Sequence, residues 1–505
     1  MTTFEPTEFL EWFQKAGGWY NDKYLGLKPF EGMGYGAVAL DRIPEDTPLF
    51  HIPDSLILSP FTSELSTKLS EEEWERLDHG WCKLILVMMW ESERGKESPW
   101  SGYLSNMPRE FDTPMLWDDE ERKELVGTDI EDRIGKEQAE KDYTEYLSPV
   151  ITAHPELFPP SSTHHTLDSF HLHGSRILSR SFTVPSSRFN SKDKESDGES
   201  DFSDDDDDDE NQIAVMIPFA DMLNAAFERD NAHLFADEEI QNDKSHDDGQ
   251  EQGKGFTMKS TKVIEKDEQI YNTYASPPNS ELLRKYGHVD ILPLPSDLLA
   301  LLTEEEIGGW GYGNPADEVL IDGEMVLKCV EKVTNKQQGE DLDKWKGKMT
   351  KRIDWWLEEG QEDMFPLSLS PEIDESLIAF IRLLIYDQEW LRAKKKGKLP
   401  TTMIDNDVAA IIREAIQSRL SRYIGDIKSD LIIIQSLEID HIPRPNASTT
   451  QADGIKAEAK GEQVTAKNLR KCYAAIVRLG EKRILNVALR IVEGQLNKKR
   501  KAEDQ

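Results

Sequence analysis

Apolar positions fall at helical spacing in Phe9, Trp12 and Phe13, which predicts a short helix over residues 8–20. The pattern then changes to short β-like runs, Ala37–Leu40, Leu49–Ile52 and Leu56–Leu58. Pro44, Pro53 and Pro60 punctuate them, as expected for small sheets and not for a continuous parallel sheet. From about residue 61 to 180 the chain reads as helical. Trp81–Trp90 is an apolar helix, and residues 119–150 are charged and helical. β character returns at Ile213–Ile217, Gly255–Met258 and Gln269–Tyr271. Beyond about residue 296 the pattern is helical to the end. Leu377, Phe380, Ile381 and Leu384 share one face, as do Val408, Ile411, Ile412, Ala415 and Ile416, and 465–495 forms a third long amphipathic segment. The expected fold class is α+β: a β-rich core over residues 22–290, interrupted by a helical insertion at about 76–180, then an all-helical domain over 300–496. Residues 497–505 form a basic tail.

Composition narrows the classes. A chain of 505 residues with 12 Trp and 18 Phe has ample material for globular cores. Cys82, Cys329 and Cys472 stand far apart, so neither a disulfide framework nor a zinc cluster is expected, and a reducing compartment is the natural reading. No run approaches the roughly 20 apolar residues of a membrane span. Residues 1–10 lack a signal peptide's basic and apolar regions, so a soluble intracellular protein is expected. The net charge of −37 disfavours nonspecific nucleic-acid binding and favours a basic protein partner through long-range steering. Much of it sits in Ser191–Asn211, where Asp204–Asp209 precede Glu210. That stretch reads as a disordered, solvated insertion, because the spaced ligands and central glycine of a calcium loop are missing. Asp237–Glu251 is expected to be a second acidic loop.

Four segments carry candidate chemistry. Glu31-Gly32-Met33-Gly34-Tyr35-Gly36 is neither a dinucleotide fingerprint nor a phosphate loop, and read alone it is a tight turn using glycine at positive φ. Pro218-Phe219-Ala220-Asp221-Met222-Leu223-Asn224-Ala225 is an apolar run ending in polar side chains that need hydrogen bonds when buried. Ser179-Arg180-Ser181-Phe182 ends a probable helix, where a lone Arg is ordinarily a surface ion pair. Tyr271-Asn272-Thr273-Tyr274 is followed by Asn279-Ser280-Glu281-Leu282-Leu283 and then Tyr286-Gly287, and aromatic residues near a strand end are more often core than catalytic.

Together these segments resemble the SET-domain protein methyltransferases, in the branch with a long insertion typified by the Rubisco large-subunit lysine methyltransferase. The resemblance runs from about residue 8 to 495. Leu399-Pro400-Thr401-Thr402 and Arg478–Leu485 resemble that branch's C-terminal substrate-binding domain. It implies S-adenosyl-L-methionine as cofactor, wrapped by the backbone of Glu31, Gly32, Met33 and Gly34. Asn224 and Ala225 would meet its adenine and amino-acid ends, Ser179 and Arg180 its carboxylate, and Tyr274 and Tyr286 would shape the site, with Tyr274 as the catalytic phenol. Many relatives have His after that Asn, so Ala225 removes any imidazole role. His288 replaces the usual Phe. Asn231-Ala232-His233 also matches the branch, with His233 read as a strand or loop residue.

Lysine methylation needs a neutral amine, which costs about 4 kcal/mol near pH 7.4 for a side chain of pKa about 10.4. An apolar channel beside a sulfonium lowers that cost without a general-base carboxylate. The resemblance is strongest to the fungal ribosomal-protein lysine methyltransferases, implying a basic protein of the large ribosomal subunit as partner. Protein-histidine methylation and a non-catalytic acidic sleeve for basic proteins are the alternatives. Lys498-Lys499-Arg500-Lys501 reads either as cations complementing a helix end or as a nuclear-import signal, so a nuclear location is expected.

Overall fold

The computed structural model describes residues 6–30, 34–189, 212–237, 254–273, 276–338, 342–436 and 466–503. The chain forms two compact units, 1–111 with 135–276, and 112–134 with 277–505. Residues 112–134 of the expected insertion and the stretch from 277 to 290 therefore group with the C-terminal part of the chain.

In the first unit, helix Pro6–Lys15 buries Phe9 and Phe13. It ends before residue 20 because Gly17 turns the chain at φ +101°, and Trp19–Tyr20 become strand β1. The strands that follow are β2 (Leu25–Phe30), β3 (Gly34–Ala39), β4 (Pro48–Pro53), β5 (Ser181–Pro185), β6 (Gln212–Met216), β7 (Ala232–Ala236), β8 (Gly255–Ser260) and β9 (Gln269–Ile270). They pair antiparallel in three small sheets, β1-β4-β8-β7, β2-β3-β9 and β5-β6. The expected strand at Leu56–Leu58 is absent. Asp54–Leu56 is a 3₁₀ turn and Leu58 makes a single bridge to Met216. Pro53 and Pro60, neither with an N–H to donate, bracket the run and leave room for a turn but not a ladder.

Helices Cys82–Arg94 and Leu167–Arg180 form the body of the insertion. The helix expected across 119–150 is broken into Asp119–Arg122, Lys136–Asp142, a π-helical turn Tyr143–Leu147 and Ser148–Ala153. Gly127 and Gly135, at φ +85° and +69°, interrupt it. The core of this unit is aromatic at its centre. Phe219 stacks on Phe50 at 4.4 Å and meets Phe9, Phe13 and Tyr20 edge-on. Its own backbone stands at φ +78°, ψ −45°, a conformation that costs a bulky residue roughly 1–3 kcal/mol and persists only where packing dictates it.

The second unit is mainly helical, with Glu375–Ile385, Asn406–Leu420 and a 38-residue helix Ala466–Glu503. The two helical faces read from sequence are buried as expected. The all-helical expectation nonetheless misses two antiparallel pairs: β10 (Leu292–Pro293) with β11 (Tyr312–Gly313), and β12 (Glu318–Asp322) with β13 (Met364–Ser368). In β12 and β13 burial alternates, with Val319, Ile321, Phe365 and Leu367 inside, the period-two signature of a strand. Between the helices lies a buried ionic network. Arg478 and Lys482 clamp Asp430 at 2.8 and 2.7 Å, Arg419 meets Asp129 at 2.6 Å, and the Tyr423 hydroxyl donates to Glu481 at 2.5 Å. Burial raises the Glu481 and Asp129 carboxyls above their ordinary range, and Arg419 opposes that rise without reversing it.

Candidate functional site

Three distant segments of the first unit converge. β3 opens on Gly34 at φ +73°, where an added Cβ would meet no atom within 4 Å. Two residues on, a Cβ at Gly36 would lie 2.6 Å from Asn224 Nδ2 and 2.7 Å from Gln269 Nε2. Only glycine leaves space for both amides. The Asn272 N–H donates to the Asn224 carbonyl at 3.0 Å, which brings the 271–273 segment beside the 221–225 turn. Asn231 fastens the arrangement from behind. Its Oδ1 accepts from the Tyr271 N–H at 2.8 Å and its Nδ2 donates to the Gln269 carbonyl at 3.0 Å.

The turn before Asn224 is anchored by a buried carboxylate. Asp221 Oδ2 accepts from the Tyr103 hydroxyl at 2.9 Å and from Arg180 Nη1 at 3.3 Å, and Arg180 also donates to the Asp221 carbonyl at 2.8 Å. Burial pushes the Asp221 carboxyl up, with Arg180 and Tyr103 opposing, and pushes the Tyr103 phenol well above its usual range. Among the described residues, three buried polar atoms here have no protein partner: Asp221 Oδ1, Asn224 Nδ2 and Gln269 Nε2. Each such group costs on the order of 1–3 kcal/mol if nothing satisfies it. The two amide nitrogens converge at Gly36, which marks where a ligand's polar groups would be received.

Of the residues singled out from sequence, Asn224 and its neighbour Ala225 lie beside the strand that Gly34 opens, with Arg180 joined to their turn through Asp221. Ser179 is adjacent, but its hydroxyl donates at 2.8 Å to the Ser175 carbonyl in its own helix. Outward it offers an acceptor, not the donor that a carboxylate needs. Glu31, Gly32, Met33 and Tyr274 lie outside the described residues, as do the acidic stretch 191–211 and most of 237–251. Tyr286 belongs to the second unit, at the end of helix Asn279–Tyr286, where Gly287 caps the helix in a left-handed conformation and burial raises the phenol. His233 lies on β7, exposed. Sequence reasoning missed Tyr103, Gly36, Gln269 and Asn272 as parts of the site. Tyr103 stands 118 positions from its partner and carries no local signal, whereas Gly36 and Gln269 sit inside runs already read for other reasons.

Residues 340–485 match the Rubisco LSMT substrate-binding family. Ribosomal lysine N-methyltransferase 4 of Saccharomyces cerevisiae is 32% identical over 265 residues, 52% of this chain and 50% of that protein. N-lysine methyltransferase setd6 of Xenopus laevis is 30% identical over 301 residues, 58% of this chain and 59% of that one. The matched region thus spans about half to three-fifths of these curated relatives. Among solved structures, Rubisco LSMT bound to AdoMet superposes with a TM-score of 0.60 at 20% identity, covering 97% of this chain and 92% of that one. The chain therefore has the fold of Rubisco LSMT, and its residues 340–485 match the Rubisco LSMT substrate-binding family.

Proposed function

We propose that this protein is an S-adenosyl-L-methionine-dependent protein-lysine N-methyltransferase acting on a basic protein of the large ribosomal subunit. The observation that carries the reading is the convergence of Gly36, Asn224 and Gln269, with amides that have no partner among the described residues, where β3 meets the 221–225 turn and the 271–273 segment. The relatives' names, ribosomal lysine N-methyltransferase and N-lysine methyltransferase, support the reaction and, for the yeast protein, the ribosomal target. The residues fit the cofactor by chemistry. The Asn224 and Gln269 amides and the Arg180 guanidinium supply donors for a carboxylate and a purine, and the free Asp221 oxygen supplies an acceptor beside a cationic centre. When bound, the cofactor supplies an electrophilic methyl group on a sulfonium. The chain's part is to hold the 221–225 turn rigid through Tyr103, Asp221 and Arg180, and to exclude water so that a lysine amine loses its proton before attack. Tyr274 orients that amine.

The substrate domain at 340–485 and the net charge of −37 favour a strongly basic protein substrate. Nuclear residence completes the reading, through the basic run Lys498–Lys501 near the end of the 38-residue helix. A fluorescent fusion with those four residues changed to Ala should leave the nucleus. The decisive test of activity is mass spectrometry of purified large-subunit ribosomal proteins incubated with the enzyme and labelled cofactor. A methyl mark on one lysine is expected, and no transfer to any lysine at saturating cofactor would overturn the proposal.

A further inference from the structure

Apart from the candidate site, the first unit holds a cleft of about 900 Å³, within the range of small-molecule sites, bounded by the first helix and by helices Ser101–Asn106 and Leu167–Arg180. Trp12, Leu104 and Leu172 are apolar members of its lining, and Lys96, Arg109 and Arg176 are cationic ones, with Arg109 close enough to Arg176 to act on its charge. Arg176 is the unusual member. It is 4% exposed, and among the described residues its guanidinium meets no carboxylate. Nε donates to the Pro108 carbonyl at 3.0 Å, and Nη1 lies at the limit of reach, 3.5 Å, from His173 Nδ1.

The other buried arginines are treated differently. Arg352, Arg382, Arg419 and Arg478 each meet a carboxylate, and Arg483 spends Nε and both terminal nitrogens on three backbone carbonyls. A chain with 97 acidic and 60 basic residues has no shortage of carboxylates, so the missing partner at Arg176 is a local feature of this site. Its surroundings deepen the deficit. Burial and the nearby Arg109 and Arg180 lower the Arg176 guanidinium to about 10, and the buried His173 is held neutral. The acidic residues on the cleft do not compensate: Glu91 is committed to Ser63 and Arg94, and Glu8 and Asp168 stand exposed.

We propose that this cleft binds a small amphiphilic anion, its phosphate or carboxylate head received by Arg176 with Arg109 and Lys96, and its apolar body lying along Trp12, Leu104 and Leu172. The site is separate from methyl transfer and stands or falls without it. The test is calorimetric titration of the full chain with octyl phosphate, inorganic phosphate and octanol. Octyl phosphate is expected to bind one per chain, at least roughly tenfold more tightly than either part alone. Arg176→Met should weaken it by roughly tenfold or more, with partial recovery in Arg176→Lys, because a charge-assisted contact is lost and then partly restored. Should Arg176→Met fail to fold, the exposed pair Lys96→Ala and Arg109→Ala carries the test, with roughly a threefold loss expected. Octanol binding as tightly as octyl phosphate, unchanged affinity in the charge variants, or no heat from any probe at millimolar concentration would each overturn the proposal.

Discussion

The two units bury polar groups for opposite ends. In the second, Asp430 is held by Arg478 and Lys482, and Glu481 by Tyr423 and the Asp129 N–H, so that each charge finds a partner inside the fold. In the first, the amide nitrogens of Asn224 and Gln269 and one oxygen of Asp221 are buried and find no partner among the described residues. A closed network holds helices in one arrangement and has nothing left to offer a ligand. An open set stabilises nothing until a ligand arrives. Polar burial alone therefore does not mark a site; here the open amides stand out because they face each other across Gly36.

Removing a cation from the closed network should have the largest effect. Arg419→Met strands Asp129 and Glu481 in the interior and should cost about 3–5 kcal/mol in denaturant unfolding. A loss under about 1 kcal/mol would mean that the network is solvated and the contrast false. Tyr274→Phe comes next on activity, with turnover falling roughly tenfold to a thousandfold while the melting temperature holds, since one oriented hydroxyl is lost and the ring stays. Wild-type turnover would remove Tyr274 from the reaction.

Asn224→Ala sharpens the comparison most directly. An unsatisfied amide contributes no stability, so the variant should melt at or slightly above the wild type, while cofactor affinity measured by calorimetry falls roughly tenfold. A marked loss of stability would place Asn224 with the closed network instead.

A further effect is expected in the pH dependence around helix Asn279–Tyr286. Asp317 accepts from the Asn279 N–H at the start of that helix, and burial raises it to about 7. Because its folded value lies above the ordinary 3.8, its presence costs stability progressively as pH climbs from about 4 to 7. Glu281 goes the other way. Burial raises it, but Arg284, Arg133 and Lys285 prevail and hold it at about 2, so its contribution is present above 4.5 and fades as pH falls toward 2. Unfolding curves should show Asp317→Asn gaining on the wild type toward neutral pH, and Glu281→Gln showing a flatter acid limb. Parallel curves would refute both.

The sequence was most legible where one period persisted. Leu377–Leu384 and Val408–Ile416 repeat at helical spacing and are buried as read. Glu318–Asp322 alternates just as clearly, but five residues amid helices were absorbed into the surrounding pattern. The run Arg478-Leu479-Gly480-Glu481-Lys482-Arg483 looks like a solvated helix face, and all four of its charged side chains are buried, because their partners Asp430, Glu124, Tyr423 and Glu306 come from other segments of the chain. The candidate site was legible as separate strings and not as a constellation. Tyr103 could not be joined to Asp221 without the fold.

The backbone of Phe219 sets an order of assembly. Its φ of +78° is tolerable only once Phe9, Phe13 and Phe50 surround the ring, and the first two come from a helix more than two hundred positions earlier in the chain. The turn bearing Asn224 starts two residues after Phe219 and so inherits this dependence on long-range closure, the slow kind in folding. The proposed cofactor site would then be among the last parts of the first unit to become native. A nascent chain would stay unable to bind cofactor until its earliest helix had docked, even with every binding residue already synthesised.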